Sequence, residues 1–357
     1  MCTLGQIGEF VSPDEIFIDY TYYSSASKYW LDHARVFARD VIDKLNLTQD
    51  MLVLEIASND GYLLKYFKES GIKVLGIEPS ENVSSFANQS GIETLNEFFT
   101  EDLAKNLVMK KIVPRLVVCN NVLAHVPDII DFTRGLKILI NEGSVVSIEA
   151  PSMLQMLKQN YFDTIYHEHF SYLSATSVNY LASEIGVSLF NVEKIPTHGG
   201  SYRYWLGKKG TNPSQAVEEI CQVEVNEGIR NSLIHKKFSE ESLQRIRAFE
   251  NLVNSLKGPV LGFGAAAKAT VLINASNIDV DKISAILDSA ESKQNKFIPG
   301  TSIPVHSPSK IVEFNPQNII IFPWNIAQEI AEQARGLLGS ENGCEFWTFD
   351  GNEYLRI

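Results

Sequence analysis

The sequence predicts an α/β protein of two Rossmann-like units in tandem, and three observations carry that prediction. Residues 52–56 form a short, continuously apolar strand that passes through the small-residue turn 57–61 into a helix. A second apolar strand, KVLGIEP, then ends on Glu78, the acidic strand end of a mononucleotide-binding half. The arrangement returns near the C-terminus, where PVLGFGAAAKATVLINAS carries Gly262, Gly264 and Ala267 as GxGxxA and the next strand ends at Asp288. A chain of 357 residues is long enough for two domains, each with its own core.

The remaining elements fall into place around these two halves. Residues 1–25 form an aromatic segment in which Tyr20, Tyr22 and Tyr23 are too crowded for a simple surface loop and suit a plug against the next domain. Residues 26–46 have helical periodicity, with Trp30, Ala34, Phe37, Val41 and Leu45 on or near one face. After the first two strands come GIETLNEFF, LVVCNNVLAHV and GSVVSIEAP, and then a helix over 174–186. SLFNVEKIP and SYRYWLGKK alternate and face each other across HGG as a hairpin. Five parallel strands closed by a hairpin is the seven-stranded layout of class I methyltransferases. The expected domains are therefore 1–25, the aromatic segment; 26–210, a methyltransferase domain; 211–257, a charged helical connector ending at Lys257-Gly258-Pro259; and 258–357, the second Rossmann-like domain.

The first turn, ExASNDG, has one glycine where dinucleotide loops carry GxGxxG, and offers little to a pyrophosphate. Glu55 adds negative charge, which suits a cationic or zwitterionic ligand and favours S-adenosylmethionine over NAD, with Glu78 placed to accept ribose hydroxyls. Ligands of open α/β sheets lie outside the carboxyl ends of the strands. That rule puts Asn120, Asn121 and His125, after the fourth strand, on one rim with YFDTIYHEHFSYL, after the fifth. In that stretch Tyr166, His167, Glu168 and His169 are enclosed by Ile165, Phe170 and Tyr172, a pattern that fits neither strand alternation nor a helical stripe. Such groups in an apolar setting cost several kcal/mol unless paired, and shifted titratable groups concentrate at active sites. The plainer alternatives are core or capping histidines, or a His-x-His metal pair; no HExxH, CxxC or further His/Asp cluster supplies the other ligands a metal needs. In the C-terminal half, GxGxxA also fits mere close packing of strand and helix. Lys268 could reach a phosphate from the first helical turns. KQNKFIPGT adds Lys293 and Lys296, and IIIFPWN sets Trp324 and Asn325 at another strand end.

Together, DYTYYSS, VLEIASNDGYLL, NNVLAHV, FDTIYHEHFSYL, HGGSYRYW, and GFGAAAKA with KQNKFIPGT and WN resemble the nucleotide-sugar C-methyltransferases, which branch deoxysugars in antibiotic and polysaccharide pathways. The resemblance spans nearly the whole chain, and YHEHFSYL followed by HGGS is specific in combination. It implies S-adenosylmethionine (S-adenosylhomocysteine as product) held by Glu55, Ala57, Asn59, Gly61, Glu78, Pro79, Asn120 and Asn121. It also implies a dTDP-activated 4-keto-6-deoxyhexose, its nucleotide held by the C-terminal domain, with Tyr22, His198, Gly200, Ser201, Arg203, Gly264, Lys268, Lys293 and Asn325 as the substrate-binding residues. His169 is implied as the base that makes an enolate beside the ketone, with Glu168 orienting it and Tyr166, His125 and Tyr20 binding the keto or enolate oxygen. Family members usually begin with a four-cysteine zinc module upstream of DYTYYSS. This sequence starts at MCTLGQIGEF, and Cys2 by itself cannot build a tetrahedral site, so zinc is not expected in this chain.

A net charge of −12 argues against a nucleic-acid or anionic-membrane surface. No apolar run reaches about 18 residues and the N-terminus lacks a charged-then-apolar signal. The 4 cysteines are widely spaced, which suggests reduced thiols in a cytoplasmic protein. The expectation is a cytoplasmic enzyme of deoxysugar biosynthesis, a monomer or weak homodimer with a small-molecule partner. Three rivals stand beside it: a sugar O-methyltransferase on the same fold, an NAD-linked nucleotide-sugar oxidoreductase resting on GFGAAA and Asp288, and a binding module without catalysis. The oxidoreductase reading leaves the first nucleotide half and YHEH unexplained.

Overall fold

The structure, a computed structural model, describes residues 2–17, 23–339, 343–351 and 353–357; Tyr20 and Tyr22 lie outside the described residues. Two compact units are formed, one from Met1–Met153 and His167–Arg230, the other from Leu154–Tyr166 and Asn231–Ile357. The stretch around YHEH is thus divided, Tyr166 closing a segment of the second unit and His167 resuming the first. The two helices between the Rossmann halves are divided as well: Gln215–Asn226 belongs to the first unit and Ser232–Ser255 to the second.

The first unit opens with β1 (Gly5–Gln6) and contains β2 (Leu52–Ile56), β3 (Lys73–Ile77), β4 (Thr94–Leu95), β5 (Leu116–Asn120), β6 (Val145–Pro151), β7 (Ser171–Tyr172), β8 (Ser188–Ile195) and β9 (Ser201–Gly207). Seven of these make one sheet in the order β4-β3-β2-β5-β6-β9-β8. β2 to β6 run parallel, and β9 is antiparallel to both β6 and β8. This is the class I methyltransferase layout. LVLEI and LVVCN are apolar but for Glu55 and Asn120, because both faces of the sheet are covered. Leu54, Val117 and Ile148 face one cluster; Val53 and Val118 face another with Leu63, Phe67 and the Phe37 side of the helix Lys28–Leu45. That helix is capped at its start by the Ser27 hydroxyl and stops at Asn46 in the left-handed region. Strand order reverses between β2 and β5, so the sheet opens a crevice at their carboxyl ends. β1 pairs antiparallel with β7, directly after YHEHF.

The second unit holds β10 (Val260–Phe263), β11 (Ile286–Leu287), β12 (Val305–His306), β13 (Asn318–Ile321), β14 (Glu345–Phe349) and β15 (Tyr354–Arg356), in the order β12-β11-β10-β13-β14-β15. All are parallel except the edge strand β15. Phe162, from the segment Leu154–Tyr166, joins the core of this unit with Phe249, Ala269 and Leu272. Among the described residues no helix is long and apolar enough to cross a membrane.

Candidate active site

The loop after β2 is built on left-handed backbone at Ala57 (φ 54), Asn59 (φ 50) and Gly61 (φ 79). Gly61 is required twice over, because a Cβ there would lie 2.9 Å from Ile92 Cγ1 as well as strain the backbone. Glu78, after β3, clamps the loop: its Oε2 accepts the Asn59 N–H at 3.0 Å and its Oε1 accepts the Ser80 N–H at 2.9 Å. Asn96 fixes the strand end by donating to the carbonyls of Glu78 and Pro79. From the other side, the Ser24 N–H donates to Asn59 Oδ1 (2.8 Å) and the Ser25 N–H to Asp60 Oδ2 (3.1 Å). The SS of DYTYYSS therefore docks on the cofactor-type loop, and Tyr23 meets Phe86 edge-on at 5.6 Å.

The loop is electronegative. Burial raises Glu55 well above the usual carboxylate range, and the charges of Asp60 and Glu78 push it further the same way. Burial also raises Glu78, against the two N–H groups it accepts from. Among the described residues, Glu55 Oε2, Asp60 Oδ1, Asn120 Oδ1 and Asn121 Oδ1 are buried acceptors with no hydrogen-bond partner. Buried acceptors of this kind are costly until a donor arrives. They gather around the carboxyl ends of β2 and β5, and S-adenosylmethionine, with its ammonium, sulfonium, ribose hydroxyls and adenine amine, supplies the donors and the positive charge they lack. The residues present fit that cofactor.

At the same rim, a 3-10 turn, Leu123–His125, brings the His125 ring to 4.8 Å from the His169 ring, edge to face. The Phe17 ring lies 6.3 Å from that of His125, and Tyr172 lies 6.4 Å from His169. Burial drives the His125 pKa from 6.5 down to about 4, opposed by a backbone hydrogen bond at Glu168. His125 is therefore a neutral imidazole at neutral pH, and its Nδ1 is buried without a partner among the described residues. His125, the Glu168 backbone and His169 come together in the first unit, whereas Tyr166 is part of the second. Among the described residues no three His, Cys, Asp or Glu side chains cluster as a metal site.

The HGGS stretch is a turn between β8 and β9, with His198 at φ 52 and its ring 5.0 Å from Trp30. Gly200 donates to the Thr197 carbonyl, and the Ser201 hydroxyl donates to the same oxygen at 2.9 Å. Arg203, expected at the sugar diphosphate, is instead buried in the sheet. Its Nη2 donates to Glu149 Oε2 at 2.8 Å, and its guanidinium lies over the Phe37 ring. Glu149 also accepts from Thr197 Oγ1 and meets His33 Nε2 at 2.9 Å. Burial would raise Glu149, but His33 and Arg203 outweigh it and hold the carboxylate below its ordinary value. Alternation along SYRYW does not reveal this, because every residue of β9 is buried.

In the second unit Asp288 repeats the role of Glu78. Its Oδ2 accepts the Ala265 N–H and its Oδ1 the Ala290 N–H, both at 2.8 Å, and Lys293 Nζ approaches Oδ2 at 3.4 Å. Gly264 (φ 88) packs its α-carbon against Pro323, leaving no room for a side chain. Lys268 donates to Asn325 Oδ1 at 3.0 Å and lies 4.8 Å from the centre of the Trp324 ring. Sequence reasoning missed Asp163, which is bound by both Arg245 Nη groups (3.1 and 2.8 Å) and by Trp324 Nε1 (2.9 Å). The aspartate in FDTIYHEH looks like one more loop acid until Arg245, far along the chain, is known to face it.

Comparison with known proteins gives two family matches: residues 30–191 match the family described as "Methyltransferase domain", and residues 196–348 match "C-methyltransferase C-terminal domain". The chain is 30% identical over 351 residues to the C-methyltransferase NovU of Streptomyces niveus, covering 97% of this chain and 83% of NovU. Among solved structures, the magnesium protoporphyrin IX methyltransferase of Synechocystis PCC 6803 with bound S-adenosylhomocysteine aligns with a TM-score of 0.39 at 16% identity, over 50% of this chain and 83% of its own. The CcbJ methyltransferase of Streptomyces caelestis aligns with a TM-score of 0.39 at 12% identity, over 50% of this chain and 90% of its own.

Proposed function

Since the chain belongs to the C-methyltransferase family and is an S-adenosylmethionine-dependent enzyme of carbon methylation, we propose that its acceptor is a dTDP-activated 4-keto-6-deoxy sugar. The observation that carries the reading is the imidazole pair His125–His169 beside an electronegative loop. Carbon becomes a nucleophile only after losing a proton, and a ketone next to it makes that loss accessible to a side-chain base. His169 is the base in this reading, its ring oriented by Glu168, and a positioned base of this kind contributes about 10²–10⁴-fold. His125, held neutral, suits donation to the oxygen on which charge develops, with Tyr166 and Tyr20 as further donors.

The bound cofactor supplies the electrophilic methyl group. Glu55, Ala57, Asn59, Gly61, Glu78, Pro79, Asn120 and Asn121 would hold it, with the unpartnered oxygens of Glu55, Asn120 and Asn121 taking its N–H and O–H groups. For the nucleotide diphosphate the second unit offers the 264–268 loop, whose helix Ala267–Ala275 presents its N-terminal amides, with Lys268, Lys293 and Asn325. Tyr22, His198, Gly200 and Ser201 complete the substrate set. The setting is deoxysugar biosynthesis in the cytoplasm, by a monomer or weak homodimer.

The test is proton exchange. Wild-type enzyme in heavy water, with a dTDP-4-keto-6-deoxy sugar and a non-reactive cofactor analogue, should place deuterium on the carbon next to the ketone. His169→Asn should lose this exchange and methyl transfer while binding both ligands. Exchange at the wild-type rate in the variant moves the base elsewhere, first to His125 and then to Tyr166. Wild-type methylation of an acceptor that has no ketone sinks the substrate reading.

A further inference from the structure

Trp324 occupies a junction that the chemistry above does not use. Its indole N–H donates to Asp163 Oδ2 at 2.9 Å, and its ring stacks on Tyr161 at 3.8 Å with the planes 16° apart. Both partners lie in the segment Leu154–Tyr166, and Asp163 and Tyr161 are buried. Trp324 also contacts the Lys268 ammonium, and the adjacent Asn325 accepts from that same ammonium. Asp163 is held rigidly, since Arg245 grips both its oxygens and also donates to the Asn160 carbonyl at 2.8 Å. Phe162 packs with Ala269 and Leu272 of the helix that Lys268 opens.

We propose that Trp324 is a positioning residue that couples nucleotide occupancy at Lys268 to the order of the segment leading into the catalytic histidine. The proposal rests on the nucleotide-sugar reading above. A diphosphate that accepts from Lys268 favours the arrangement in which Lys268, Asn325 and Trp324 are assembled, and by linkage it suppresses local opening of whatever that arrangement supports. Through the indole N–H and the Tyr161 stack, that includes residues 161–166, which continue directly into His167, Glu168 and His169. The coupling gives the enzyme a physical reason to assemble its base only with substrate nucleotide present.

The experiment is amide hydrogen exchange on the full-length protein with dTDP alone as probe, following peptides over 162–166, in wild type and in Trp324→Phe. Phenylalanine keeps a stacking ring and removes the N–H donor. In wild type, dTDP should slow exchange of these amides about two- to tenfold, the range expected for one hydrogen bond. In Trp324→Phe, dTDP should still bind by calorimetry but leave their exchange unchanged, and turnover should fall with KM for the sugar nucleotide preserved. An equal protection in both proteins overturns the coupling, as does loss of dTDP binding in the variant, which would make Trp324 part of the nucleotide site instead. Failure of wild type to bind dTDP overturns both this proposal and the nucleotide-sugar reading, and calorimetry on wild type separates that case from the others.

Discussion

The burial of His125 makes a pH-dependent stability that can be worked from the structure. Its pKa falls from 6.5 to about 4, and burial is the leading cause. Between those values the unfolded chain holds a proton at this site and the folded chain does not. Stability from His125 is therefore present above the unfolded value and is lost as pH falls toward 4, the reverse of a histidine stabilised as a cation. At about 1.36 kcal/mol per pH unit the whole gap is worth about 3 kcal/mol, of which about 2 kcal/mol is lost between pH 7 and pH 5. Because the chain forms two compact units, the readout has to belong to the first. Cys119 serves, being fully buried in β5 of that unit. Its labelling by a thiol reagent across a urea series, followed by mass spectrometry, should show wild type losing about 2 kcal/mol more than His125→Gln between pH 7 and pH 5. Parallel losses in the two proteins would refute the burial argument. They would also return His125 to contention as the base, since a ring that titrates near 4 is a poor proton acceptor at neutral pH.

Two further outcomes follow from the same geometry. Glu78→Ala removes the acceptor of the Asn59 and Ser80 amides and should weaken S-adenosylmethionine binding by about 10–100-fold in calorimetry, with dTDP binding unchanged; unaltered cofactor affinity would move the cofactor away from this loop. Arg203→Leu leaves Glu149 buried with only His33 and Thr197 and should cost about 3 kcal/mol in urea unfolding of the first unit, with dTDP affinity intact. Lost dTDP affinity at unchanged stability would instead restore Arg203 to the substrate.

The parallel strands, the hairpin and both loop–acid pairs were legible because each is local: an apolar run, a turn of small residues and an acid at the next strand end lie within some thirty residues of one another. The His125–His169 approach was legible only as a shared rim, from the rule that strand ends converge. What the sequence hid is long-range charge pairing. Nothing near Arg203 names Glu149, nothing near Asp163 names Arg245, and an arginine among sugar-site residues reads as a phosphate ligand until its partner is seen. Unit membership was hidden for the same reason. Residues 154–166 lie in the chain between β6 and β8 of the first sheet, yet Phe162 and Asp163 find their apolar and ionic partners in the second unit.

One backbone device serves both Rossmann units, and the charges placed around it differ between them. Glu78 and Asp288 each end the second strand, accept an N–H from the loop after the first, and accept another from two residues on. In the first unit the clamp stands with Glu55 and Asp60, whose unpartnered oxygens leave a deficit of donors and of positive charge. In the second, Lys293 approaches the clamp itself and Lys268 stands on the first turn of the helix that follows the loop. Electrostatics at these short ranges are decisive where water is excluded. The first loop therefore suits a sulfonium-bearing zwitterion better than a diphosphate, and the lysines of the second are what the proposed diphosphate site rests on. Under the proposed function, exchanging the two preferences would need the surrounding charges to change while the clamps stay as they are, so that one fold element, used twice in a chain, serves two different ligands.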